Sequence, residues 1–179
     1  MLVLLNESHA AALEDFLQDF QHHDEQRIPA WFLGFNRPIA EAVATLDAWS
    51  QGQQLNPGQV PGTTYFEEHN GALLGVLNLR HTLSARSRYF GGHIGYSVRP
   101  AARRQGLATR MLAEALPKAR ALGLDAVLLT CAPDNIGSVR AIERNGGVLE
   151  AEELFEPENR VVRRYWIALS SGWVLPDAP

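Results

Sequence analysis

The sequence predicts an α/β fold, a mixed sheet with helices on both faces, and three observations predict it. β-prone runs bounded by turn residues recur from residue 63 onward. Apolar residues at helical spacing (Leu107, Met111, Ala115, Ala119, with Ala108, Leu112 and Leu116 alongside) mark one long helix. Between Gly95 and Thr109 a strand, an arginine- and glycine-bearing loop and a helix start follow one another. The elements come in the order βααβββαβαββ.

Residues 1–5 are apolar and β-prone and read as a first strand. Ser8 is placed to cap a helix over about 10–21, with Leu13, Phe16, Leu17 and Phe20 on one face. Residues 29–35 are a short aromatic stretch with no clear class. A second helix over about 39–51 presents Val43, Leu46 and Trp49, and residues 51–62, rich in Gln, Gly and Pro, read as a surface loop. Strands 63–68 and 73–80 flank Asn70-Gly71, the signature of a hairpin turn. A loop at 81–88 leads into a strand at 93–98, which Pro100 cannot continue.

The long helix runs from about 106 to 121 and stops at Gly123. Pro117 removes one backbone hydrogen bond at a cost of about 3 kcal/mol and predicts a kink or an ending nearby. A strand at 126–131, a helix at 137–144 ending at Asn145-Gly146, and strands at 148–155 and 161–169 complete the chain.

The 179 residues fit one domain, 1–179, and 46% apolar content supplies a core. No apolar run reaches the length of a membrane span. Residues 1–20 carry Glu7, Glu14, Asp15 and Asp19 and no Lys or Arg, which is wrong for a secretory leader. The single cysteine, Cys131, fits a reducing cytosol, so a cytoplasmic location is expected. A net charge of −4 argues against a nucleic-acid or anionic-membrane binder.

The chemistry concentrates in Arg103-x-x-Gly106-x-Ala108. A helix start carries unpaired N–H groups and partial positive charge, so a loop bent tightly onto it suits an anion, here a pyrophosphate. Small residues at 106 and 108 let phosphate oxygens approach the amides. An ordinary strand-to-helix turn with solvated arginines would read the same way. The Gly-Lys-Ser/Thr of a nucleotide triphosphatase loop and the three glycines of a dinucleotide fingerprint are absent.

This stretch resembles the acetyl-CoA signature of the GNAT N-acetyltransferase superfamily, Gln/Arg-x-x-Gly-x-Gly/Ala. A second matching unit joins the strand ending at Cys131 to Asn135-Ile-Gly-Ser138 and Asn145-Gly-Gly147. With Gly91-Gly-His-Ile-Gly-Tyr96 it resembles a bacterial branch of predicted acetyltransferases, over about residues 63–169. The resemblance implies splayed fourth and fifth strands holding acetyl-CoA, with no metal. The backbone near Ser97 and Val98 would face the pantetheine arm. The loop of Arg103, Arg104, Gln105, Gly106, Leu107, Ala108 and Thr109 would hold the pyrophosphate, and Asn135 and Ser138 would meet the other side of the arm. Asn135 and Ser138 are equally suited to cap a helix, and a solvated charge suits Arg104.

The implied reaction is direct attack by a primary amine, of a small molecule or a peptide, on the thioester. Dimers are frequent in the superfamily, so a homodimer is among the expectations. His93 and Tyr96 are the candidates for proton transfer, with His93 equally suited to a structural place. The tyrosine that many members carry seven residues beyond the asparagine is here Ile142, so Tyr96 or water must protonate the thiolate, or it leaves as the anion. That departure keeps a CoA-binding sensor without turnover as the rival reading. Cys131 reads as a buried small hydrophobe rather than an acyl carrier. Glu150, Glu152, Glu153, Glu156 and Glu158 form either a cation-attracting acceptor pocket or a solvated edge.

Overall fold

The computed structural model describes residues 1–23 and 37–175, so the aromatic stretch at 29–35 lies outside the described residues. β1 (Leu2–Leu4), β2 (Gly62–His69), β3 (Ala72–Arg80) and β4 (Ile94–Val98) form one antiparallel sheet in that order. β5 (Ala126–Cys131), β6 (Val148–Phe155) and β7 (Arg160–Ala168) form a second antiparallel sheet, ordered β5-β7-β6. The helices are α1 (Ala10–His22), α2 (Ile39–Ser50), α3 (Ala85–Tyr89), α4 (Leu107–Ala121) and α5 (Ile136–Arg144).

Alternation along the central strands puts helices on both faces. Leu77 and Leu79 of β3 and Ile94 of β4 pack against Met111, Leu112, Ala115 and Ala119 of α4. Val76 and Leu73 of β3, with Phe66 of β2, pack instead against Leu13, Phe16, Leu17 and Phe20 of α1 and Leu46 of α2. The first of these cores runs on into the second sheet through Val127, Leu129, Tyr165 and Ile167. α4 therefore spans both sheets and holds them side by side without a ladder between them.

The hairpin forms as its turn chemistry predicts. Asn70 and Gly71 both have positive φ (50° and 79°), the geometry whose twist matches two antiparallel strands. Elsewhere local detail differs from expectation. Asn6, not Ser8, supplies the cap: its Oδ1 accepts from the Ser8 N–H at 2.9 Å and opens a 3-10 turn that leads into α1. Residues 85–89 form a one-turn helix where a loop was expected, because Ser84 and Ser87 cap each other's backbone. Pro117 does not end α4, which continues to Ala121. Both Pro117 and Ala113, whose carbonyl loses its partner, face solvent, where water takes that bond.

Candidate active site

The site begins where β4 and β5 part. Hydrogen bonds join them at the entry to β4: the His93 N–H donates to the Leu128 carbonyl at 2.7 Å, the Leu128 N–H donates to His93 Nδ1 at 2.9 Å, and the Gly91 N–H donates to Thr130 Oγ1 at 2.8 Å. Gly92 permits that approach, since a side chain there would strike the Leu128 carbonyl. Beyond it no ladder joins the strands. Residue 99 donates to the Leu74 carbonyl and residue 93 accepts from Arg80 N–H, so odd positions of β4 face β3. Antiparallel alternation then turns the backbone groups of Tyr96 and Val98 toward the gap. The strand pair is thus wedge-shaped, as the resemblance implies.

The wedge opens into a cleft of about 760 Å³. Of the predicted cofactor residues, Ser97, Val98, Arg103, Arg104, Gly106, Leu107, Ala108, Thr109, Asn135 and Ser138 line it, as does Tyr96. Gln105 is exposed and does not line it. Arg104 (φ 64°) and Gly106 (φ 75°) are both left-handed, which curls the loop onto the start of α4. No side chain caps that start, so the N–H groups of Leu107, Ala108 and Thr109 have no helical acceptor. A Cβ at Gly106 would meet nothing within 4 Å, so the cradle before these amides is open. The Arg103 side chain does not point into the cradle: its Nε donates to the Val98 carbonyl at 2.9 Å and its guanidinium lies over Phe20.

Asp19 of α1 braces the same loop. Its Oδ2 accepts from Arg99 Nε at 3.2 Å and from the Ala101 N–H at 3.1 Å. Burial alone would raise this carboxyl, but the Ala101 and Arg99 hydrogen bonds outweigh it and hold Asp19 below the usual carboxylate range.

The far wall is α5. The Asn135 Oδ1 accepts from the Ser138 N–H at 3.1 Å, so its side chain caps the helix while lining the cleft. The Tyr96 hydroxyl lies 2.9 Å from Ser138 Oγ, and burial pushes its pKa up to about 12 despite that bond. Ala102, Ile136, Gly137, Arg140 and Arg144 also line the cleft and were not expected. The signal for Arg140 and Arg144 was their i, i+4 spacing opposite buried Val139 and Ile142. Asp19 left no sequence signal, because its partners lie some 80 residues away.

Three other residues have other duties. His93 is buried beside Trp166, with Nδ1 already accepting from Leu128, and does not line the cleft. Burial, with the Arg80 and Arg88 charges, lowers it to about 4, so it is a strand-joining residue rather than an exposed base. Cys131 is buried, and burial raises its thiol pKa, which disfavours the nucleophilic thiolate. Ile142 is fully buried in the core.

The carboxylates of β6 are paired rather than open to a cationic acceptor. Glu152 meets Arg163 Nε at 2.6 Å, Glu153 meets Arg164 Nη1 at 2.8 Å, and Glu150 meets Arg164 Nε at 2.8 Å. Among the described residues no helix is long and apolar enough to cross a membrane, and no three His, Cys, Asp or Glu side chains are grouped to hold a metal.

Solved structures share this architecture. RimJ of Mycobacterium smegmatis, in complex with CoA-disulfide, is 20% identical, with 93% of this chain and 80% of that one covered at a TM-score of 0.69. A Salmonella typhimurium acetyltransferase that modifies the N-terminal serine of ribosomal protein L7/L12 is 18% identical, with 93% of each chain covered at 0.64. The microcin C7 self-immunity acetyltransferase MccE, in complex with acetyl-CoA and AMP, is 16% identical, with 93% and 91% covered at 0.63. At these identities the likeness establishes the fold. No curated protein matches the sequence. The family model of the acetyltransferase (GNAT) domain matches residues 1–148, which take in the wedge, the loop and the whole of α5, and the chain belongs to that family.

Proposed function

We propose that this acetyltransferase moves the acetyl group of acetyl-CoA to a primary amine, of a small molecule or a peptide, by direct attack with both substrates bound. The observation that carries the reading is the unladdered wedge between β4 and β5, opening onto three free amides of α4. The backbone of Tyr96 and the Val98 N–H face the gap without a ladder partner, which suits the amides of a pantetheine arm, while the Val98 carbonyl is held by Arg103 Nε. The open cradle at Gly106 and the first turn of α4 suit a diphosphate. MccE, with a similar fold, is in complex with acetyl-CoA.

Bound acetyl-CoA supplies an activated acyl thioester. The Val98 N–H donates to the thioester carbonyl oxygen, where negative charge develops. Tyr96, kept protonated by burial, hands its proton to the departing sulfur and regains, through Ser138 or water, the proton that the attacking amine nitrogen loses. Asn135 holds the amino end of α5, and with it Ser138, against the arm. The fully buried Ile142 takes no part in proton transfer.

Calorimetry with acetyl-CoA on the wild type and Gly106→Val tests the reading, together with thioester consumption over a panel of amines. The variant is expected to keep its fold, at a strain of about 1–2 kcal/mol from the positive φ, and to lose cofactor binding. Binding without acetyl transfer to any amine would favour the sensor. Undiminished binding by Gly106→Val would discard the cradle.

A further inference from the structure

Arg140 and Arg144 line the cleft with no acidic partner among the described residues, although the chain is acidic overall. With Gly137 they fall at i, i+3 and i+7, so one stripe of α5 forms the wall. Asn145 Nδ2, next in the chain, donates to the Thr109 carbonyl at 3.0 Å. That bond sets the carboxyl end of α5 beside the first turn of α4. Both arginines are exposed while Val139 and Ile142 of the same helix are buried, so the helix packs through its other face and leaves the two side chains on the cleft.

Resting on the cofactor reading above, we infer that Arg140 and Arg144 bind the 3′-phosphate of coenzyme A and select for it. Coenzyme A carries two separate anionic groups at its nucleotide end, the diphosphate and a phosphate monoester on the ribose. The amides of α4 are neutral donors in a tight curl and match the diphosphate. A terminal monoester carries nearly two charges and three accessible oxygens, which guanidinium forks bind in pairs. The exposed stripe of α5 offers two such forks one turn apart at the mouth of the same cleft.

Calorimetry with coenzyme A and with 3′-dephospho-coenzyme A, on the wild type and on the Arg140→Gln/Arg144→Gln double variant, tests this. The wild type is expected to bind coenzyme A about 10- to 100-fold tighter than the dephospho form. The double variant should bind both alike, with its dephospho affinity within about twofold of the wild type's and an unchanged Tm. Equal wild-type affinities would overturn the inference while leaving the cofactor reading intact. An equal loss for both ligands in the double variant would also overturn it, by moving the arginines to the diphosphate. No wild-type binding of either ligand would overturn the cofactor reading and this inference with it.

Discussion

The Tyr96 hydroxyl and Ser138 Oγ stand 2.9 Å apart and join β4 to α5 across the mouth of the wedge. Burial holds the phenol protonated, with its pKa up to about 12, so near neutral pH it keeps the proton that the proposed mechanism assigns to the leaving sulfur. Tyr96→Phe keeps the ring and removes the proton. It should lower kcat by about 10²-fold and leave the dissociation constant of acetyl-CoA near its wild-type value. An unchanged kcat would take Tyr96 out of the chemistry.

His93 predicts how the fold answers to acid. An unfolded histidine titrates near 6.5, whereas His93 in the fold titrates at about 4. As pH falls through that window the unfolded chain takes up a proton that the folded chain refuses. Stability is therefore full above about pH 6.5 and falls by about 3 kcal/mol on the way to pH 4. Urea midpoints at pH 7 and pH 5 for the wild type and His93→Asn measure this, and the variant should lose most of the slope. Equal slopes would place the acid sensitivity elsewhere.

Asp19 couples α1 to the loop through Arg99 and Ala101. Removing its carboxylate leaves the Ala101 N–H without its acceptor and Arg99 with Asp15 at 2.7 Å as the remaining carboxylate. Asp19→Ala should cost about 1–2 kcal/mol of stability and weaken acetyl-CoA several-fold, because the loop amides are no longer held in register. Thermal melts with and without ligand separate the two effects. A loss of stability with affinity intact would make Asp19 a brace of the fold alone.

Local chemistry is what made much of this protein legible. The 62–80 hairpin followed from Asn70-Gly71, β5 from its β-prone run, and the start of α4 from a proline, a glycine and a 3.6-residue period. The Arg103–Ala108 motif was legible for the same reason: the left-handed turns and the helix start that make a cradle lie within six positions of one another. Where a side chain had two uses, local pattern could not choose between them. Asn135 proved to cap α5 and line the cleft at once, and Asn6 displaced Ser8 because the 3-10 turn begins two residues earlier.

By itself, then, the sequence determined the strands, the longer helices, their order and the glycine turn before α4, since propensity, periodicity and capping act within a few residues. Only the tertiary structure decided which groups are engaged and which are open. The carboxylates of β6 are neutralised because the register of β6 with β7 sets Glu152 opposite Arg163. His93 is drawn from catalysis into a joint because Leu128, 35 residues on, lies against it. The wedge itself comes from α4 packing both sheets while hydrogen bonds tie β5 to the residues leading into β4 and no ladder continues beyond them. Such contacts depend on how distant elements pack, and no local pattern encodes that.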